Sequence, residues 1–227
     1  MQKTNSDALD FRVMELIVSR LCHDLVSPVG AVNNGVELVD ELGQDVLDDA
    51  MELIGQSARI ASARLGMFRL AFGMAGSGSR VNWRDTRAAA QAYIEVGKAT
   101  LDWPADSIPS EDASTDFLRY AAKLVLNAIV MTEEAMPAGG AIVVAVHDTG
   151  FTIAATGRTA RLSDESQVAL ADRSGVDALT ARSIHAYMVG HYAGLAGAIV
   201  SHGSEPAALG DGTQGERLSI TARLEDV

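Results

Sequence analysis

The chain has 227 residues, of which 48% are hydrophobic and 21% charged, and a formal net charge of −12. That length holds one large domain or two modest ones, and the composition belongs to a folded chain, not a disordered one. The acidic balance argues against nucleic acid as a partner, because affinity for phosphates comes largely from Lys and Arg, but leaves room for a protein partner with a basic patch.

From Phe11 to about Leu42 the apolar residues recur at helical spacing: Phe11, Met14, Val18, Leu21, Leu25, Val29, Val32, Val36 and Val39 step by three or four. Gly43 reads as a stop and turn. A second helical run comes next, through Leu47, Ala50, Ile54, Ser57, Ala61, Leu65, Phe68 and Phe72, and ends in the linker-like Gly73-Met74-Ala75-Gly76-Ser77-Gly78-Ser79. Residues 1–75 are therefore predicted to form an antiparallel helical hairpin, with 76–80 as linker. A lone hairpin exposes too much apolar surface, so a homodimer forming a four-helix bundle is expected. Packing of the hairpin onto its own second half is the alternative.

The grammar changes over 81–227. Trp83 to Thr100 reads as a helix with Asp85 near its start, Asp102 to Asp112 as a polar loop, and Thr115 to Met136 as a helix stopped by Pro137-Ala138-Gly139-Gly140. Ala141 to Val146 reads as a strand and Phe151 to Ala155 as its hairpin partner. Asp177 to about Ala198 has a helical pattern, and Leu218 to Ala222 alternates as a final strand. The predicted fold class is α+β: the hairpin, then an α/β sandwich with a small, mostly antiparallel sheet.

The single cysteine, Cys22, cannot close an internal disulfide, which fits a reducing compartment; it reads as a packed small hydrophobe. The polar first ten residues do not resemble a signal peptide. No run approaches the roughly 18 apolar residues of a membrane span; the longest weak one, Tyr192 to Val200, is short and rich in Gly and Ala. A cytoplasmic chain with no membrane partner is expected.

The informative segment is Arg20-Leu21-Cys22-His23-Asp24-Leu25-Val26-Ser27-Pro28-Val29-Gly30. On a 3.6-residue period Arg20, His23 and Ser27 share a face, with Asp24 beside them. Pro28 lacks an N–H and its ring crowds the carbonyl of Asp24, so a bend is expected. A neutral imidazole offers one nitrogen as a nucleophile while the other carries the proton. Asp24 is placed to hold that proton, Arg20 to steer phosphoryl oxygens and Ser27 to add a weaker contact. These residues alone leave a structural His23 as open as a catalytic one. His147, His185, His191 and His202 lack metal-site spacing and read as structural.

His-Asp-Leu-x-Ser-Pro-Val on a helical hairpin resembles the phosphorylated box of sensor histidine kinases. The second half resembles their ATP-binding domain in degenerate form. Lys123-Leu124-Val125-Leu126-Asn127-Ala128 is similar to the box whose Asn holds Mg²⁺, and Glu134 to Gly140 is similar to the next segment of that domain. Where the kinases carry Asp-x-Gly-x-Gly, this chain has Ala155-Thr156-Gly157-Arg158-Thr159, and no lid precedes the segment from His191 to Val200 that resembles the closing helix and turn. A dimer that keeps its His but lacks the ATP loops is similar to the alphaproteobacterial histidine phosphotransferases of the ChpT type.

That resemblance implies a relay: the receiver domain of a hybrid histidine kinase phosphorylates His23, and response-regulator receivers collect the group. It implies that the chain binds no cofactor or metal of its own, Mg²⁺ being supplied by the receiver, that Asn127 is a structural relic, and that the second half is scaffold and docking surface. The receiver is expected along the hairpin near His23, which antiparallel pairing sets opposite about Leu65. Gly30, Asn34, Arg59 and Ser62 are the expected contact face, though each also fits ordinary solvated surface. The rival readings are an ATP-dependent histidine kinase with divergent loops, a non-catalytic dimeric adaptor for receivers, and an ATPase of the same fold.

Overall fold

The computed structural model describes the backbone of residues 3–73, 82–171 and 175–225, with side chains from residue 11 onward. Helix α1 (Lys3–Leu42) runs through Pro28, turns at a 3-10 segment (Gly43–Val46) and returns as α2 (Leu47–Phe72). Gly35 makes the crossing close: a Cβ there would stand 2.6 Å from Ile54 Cγ1. The predicted linker, 76–80, lies outside the described residues.

The second half opens with α3 (Trp83–Glu95), whose N-terminus is capped by Asn82. Its side chain accepts from the Asp85 N–H at 3.2 Å and donates to the Asp85 carboxylate at 2.8 Å. Next come β1 (Ala99–Asp102), α4 (Thr115–Glu134), β2 (Gly140–His147) and β3 (Gly150–Gly157). After them come α5 (Asp164–Leu170), a 3-10 turn (Val176–Ala178), α6 (Ile184–Ala196), β4 (Ala198–Ala208) and β5 (Gln214–Leu224). The strands form one sheet in the order β1-β2-β3-β5-β4, with β1 parallel to β2 and the other pairs antiparallel. Ile142, Val144, Val146, Phe151, Ile153, Leu218 and Ile220 alternate onto its buried face, against α4 and α6.

Four expectations for the second half need correction. The helix from Trp83 stops at Glu95, not Thr100, because Gly97 turns the chain and Ala99–Asp102 joins the sheet edge beside β2. The helical pattern from Asp177 holds only as a 3-10 turn and then α6. Residues near Val200 are strand, because Gly197 adopts φ +68° and closes α6 as a left-handed cap. Helix α5 lies where no helix was expected; Ser163 caps it by accepting from the Ser166 N–H at 3.1 Å.

The apolar stripe on α1 also needs correction. The face turned toward the rest of the chain carries Leu16, Asp24, Pro28 and Gly35, all buried. Of the predicted stripe, Phe11, Met14, Val18, Val29 and Val36 are exposed. At the open end of the hairpin, Leu16, Met67 and Ala71 share one hydrophobic core with α4 and α6. Packing onto the chain's own second half therefore describes part of the hairpin. Its open end joins the second half, and an apolar stripe faces away.

One polar knot lies in that junction. Asn127 is fully buried; its amide donates to the Ala71 carbonyl at 3.2 Å and the Lys123 carbonyl at 2.8 Å, and its oxygen lies 2.9 Å from His185 Nδ1. The His185 ring stacks on Phe68 and tilts against Phe72, with centroids 5.7 and 5.2 Å away. Burial first, and the Arg20 charge second, push the His185 imidazole well below its ordinary range. It folds neutral, so it donates from Nδ1 to Asn127. Unfolded, it takes a proton below about pH 6.5. Stability tied to His185 is thus complete above that pH and falls as the solution is acidified. In urea unfolding, the wild-type advantage over His185→Gln is expected to shrink by up to about 1.4 kcal/mol per pH unit below about pH 6.5. A pH-independent difference would show that the imidazole does not titrate between the two states.

Candidate functional site

Pro28 creates the chemistry of the site by subtraction. Without an N–H it leaves the carbonyl of Asp24, one turn back, short of its helical donor. The guanidinium of Arg64 on α2 donates to that carbonyl from across the hairpin. This contact fixes the antiparallel register, with the His23-Asp24 step beside Arg64 and Leu65. The expected pairing of His23 with about Leu65 agrees with it.

The side chain of Asp24 is equally committed. It is 8% exposed, and Arg20 Nε donates to its Oδ2 at 2.8 Å. His23 is 82% exposed, and its Nδ1 lies 3.0 Å from Asp24 Oδ1. A carboxylate can only accept, so in the neutral ring this contact favours the hydrogen on Nδ1 and leaves the Nε2 lone pair toward solvent. This geometry pairs an accessible imidazole with a buried carboxylate that orients it.

Arg20 departs from the expected arrangement. It does not share the solvent face of His23. Its guanidinium is largely buried, pairs with Asp24 on its own helix and forms an ion pair with Glu134 at the end of α4. Ser27 is exposed one turn beyond His23. Cys22 is exposed, not packed, because it falls on the outer side of α1. Asn34 is exposed, and Gly30 is half-buried with open space where a Cβ would stand. Helical spacing puts His23, Ser27, Gly30 and Asn34 along one line. Arg59 and Ser62 line a shallow groove between α2 and α3, opposite Ala92 and Glu95.

Glu134 is the site residue that sequence reasoning missed. It stands 110 positions from Asp24, and no local pattern links them. Burial raises its carboxyl against the opposing pull of Arg20, to about 7. Burial likewise raises its neighbour Glu133. Asn127 lies apart from this cluster, with its amide and its oxygen hydrogen-bonded to protein partners.

A family model described as the histidine phosphotransferase C-terminal domain matches residues 83–206. The protein phosphotransferase ChpT of Brucella abortus (strain 2308) is 36% identical over 188 residues, spanning 79% of this chain and 86% of that protein. Among solved structures, a bacterial phosphotransferase determined at 1.7 Å matches with a TM-score of 0.72 at 30% identity, over 93% of this chain and 95% of that one. The chain belongs to the histidine phosphotransferase family and, within it, to the ChpT type.

The Pro28–Arg64 account can be checked by a double-mutant cycle. Arg64→Met is expected to cost about 1–3 kcal/mol in urea unfolding, the scale of an unsatisfied buried carbonyl. In a Pro28→Ala background the new N–H serves that carbonyl, and the cost should drop by about 1 kcal/mol or more. Equal costs in both backgrounds would mean that Arg64 acts elsewhere.

Proposed function

We propose that this phosphotransferase relays a phosphoryl group through His23, from the receiver domain of a hybrid histidine kinase to the receivers of response regulators. The observation that carries this reading is the pairing of an exposed imidazole with a buried carboxylate, which leaves Nε2 free toward solvent. The Nε2 lone pair attacks the phosphorus of a receiver aspartyl phosphate. The N–P bond forms, the acyl-phosphate P–O bond breaks and the receiver carboxylate leaves. Positive charge builds on the ring while Asp24 holds the Nδ1 proton. The second receiver reverses these steps with its own aspartate. Positioning and charge stabilisation dominate such transfers, and Mg²⁺ arrives in the receiver's acidic pocket.

The line of His23, Ser27, Gly30 and Asn34, with Arg59 and Ser62 on α2, forms the docking face in this reading. Ser27 supplies a hydrogen bond to a phosphoryl oxygen. Arg20 acts from behind Asp24 and not on the phosphoryl group itself, since its guanidinium is already shared between two carboxylates. The commitment of Asn127 to protein partners supports a second half that scaffolds without using ATP. The exposed stripe of Phe11, Met14, Val18, Val29 and Val36 supports a homodimer in which two hairpins form a four-helix bundle. The working compartment is the cytoplasm, where receivers reside; among the described residues no helix is long and apolar enough to cross a membrane.

The test incubates the protein with a phosphorylated hybrid-kinase receiver, beside an ATP-only control. Acid-labile label should reach wild type, fall to background in His23→Ala, and drop by about 100-fold or more in rate with Asp24→Asn, which disturbs the tautomer. Labelling from ATP alone would make the protein a kinase. Binding without labelling would make it an adaptor. Val18→Glu with Val29→Glu should halve the mass seen by light scattering; an unchanged mass would place the dimer contact elsewhere.

A further inference from the structure

The site contains one connection that phosphotransfer through His23 and Asp24 does not by itself require. Arg20 bridges two carboxylates from different halves of the chain: Asp24 on α1 and Glu134 at the end of α4. The chain of contacts His23–Asp24–Arg20–Glu134 is continuous, and it passes from an exposed ring to a buried junction. We propose that Arg20 and Glu134 are positioning residues, which hold the Asp24 carboxylate on the Nδ1 side of His23 so that the second half tunes the reactivity of the histidine through α4. The proposal rests on His23 being the phosphoacceptor, and it adds a role for two residues that do not contact the phosphoryl group.

The physical argument has two parts. First, a carboxylate with one fixed oxygen cannot rotate freely. Arg20 Nε takes Oδ2, which leaves Oδ1 as the acceptor for His23 Nδ1. Second, the charge of Arg20 has to be shared. A guanidinium held by Asp24 alone would draw negative charge away from the His23 ring just as that ring becomes cationic. The anionic form of Glu134 takes up part of that positive charge and leaves more of the Asp24 negative charge facing the imidazole.

This arrangement makes the effect pH-dependent. The groups facing the Glu134 carboxyl are Arg20 and Asp24 from α1, Glu133 beside it on α4 and the buried Tyr93 on α3, while Arg64 from α2 acts on Glu133. His185 on α6 is neutral and feels Arg20. Burial holds the Glu134 carboxyl up near 7, so it is anionic on the alkaline side and neutral on the acidic side. Support from Glu134 is therefore present above about that pH and withdrawn below it.

The experiment compares transfer rates from a phosphorylated receiver domain for wild type, Glu134→Gln and His23→Ala, from about pH 5.5 to about pH 8.5. Glutamine keeps the shape and one acceptor of Glu134 but never carries charge. Glu134→Gln is expected to be about threefold to tenfold slower at the alkaline end and to converge on wild type at the acidic end. A merely structural lesion lowers the rate by the same factor at every pH, so a flat ratio overturns the proposal. A second readout does not depend on transfer: nitrogen NMR of the His23 ring at the alkaline end. Wild type should show the Nδ1–H tautomer, and Arg20→Gln a mixture with Nε2–H, in samples whose thermal unfolding shows them folded. An unchanged tautomer overturns the proposal. If His23→Ala labels as well as wild type, the phosphoacceptor reading fails instead, and the tautomer still decides whether Arg20 and Glu134 position the ring.

Discussion

The Asp24 residue, clamped through both its backbone and its side chain, is the constraint on which the site depends. Its carbonyl lacks a helical partner because of Pro28 and is met by Arg64 from α2. Its carboxylate is divided between Arg20 and His23. One residue thereby sets the hairpin register, the orientation of the imidazole and the link to α4. A side chain on an otherwise regular helix would have several rotamers open to it; here the partners leave one. The exposed His23 ring gains order from a neighbour that solvent barely reaches, and this lets an accessible imidazole be pre-organised without being buried.

Two polar clusters sit where the hairpin meets the second half, and both consist of groups that are costly to bury singly. Asn127 with His185 is neutral and hydrogen-bonded; Arg20 with Asp24 and Glu134 is charged and paired. Breaking a buried pair is expensive because the remaining partner stays desolvated. The clusters therefore favour one docking of hairpin on sandwich over others that the surrounding core of Leu, Met and Phe side chains could accept by volume alone. The Asn that resembles a Mg²⁺ ligand of kinases has a structural task within this junction. Its amide reaches the carbonyl of Ala71 at the end of α2, and its oxygen meets His185.

Helix α1 has two working faces. One carries Leu16, Asp24, Pro28 and Gly35 against the rest of the chain. The other leaves Phe11, Met14, Val18, Val29 and Val36 to solvent in the single chain. Burying valine or methionine contributes on the order of 1.5–3 kcal/mol each, so this stripe leaves a large apolar contribution unused in the single chain.

Local signals in the sequence determined much of this protein. The period of three to four on α1 and α2, the break near Gly43, the alternation of β2, β3 and β5, and the His-Asp-Pro spacing are all contained within short windows. They placed the hairpin, the core of the sheet and His23. The tertiary structure decided what short windows do not encode. It made the polar segment Ser201–Ala208 a strand, because its backbone pairs with β5 even though its side chains show no apolar alternation. It turned the apolar stripe of α1 outward and put Asp24 inward, because the second half supplied a buried carboxylate for the cation on that face. And it brought Glu134 to Arg20 across more than a hundred residues of chain. Pairing of charges depends on where the folded chain returns, and spacing along the sequence carries no record of that distance.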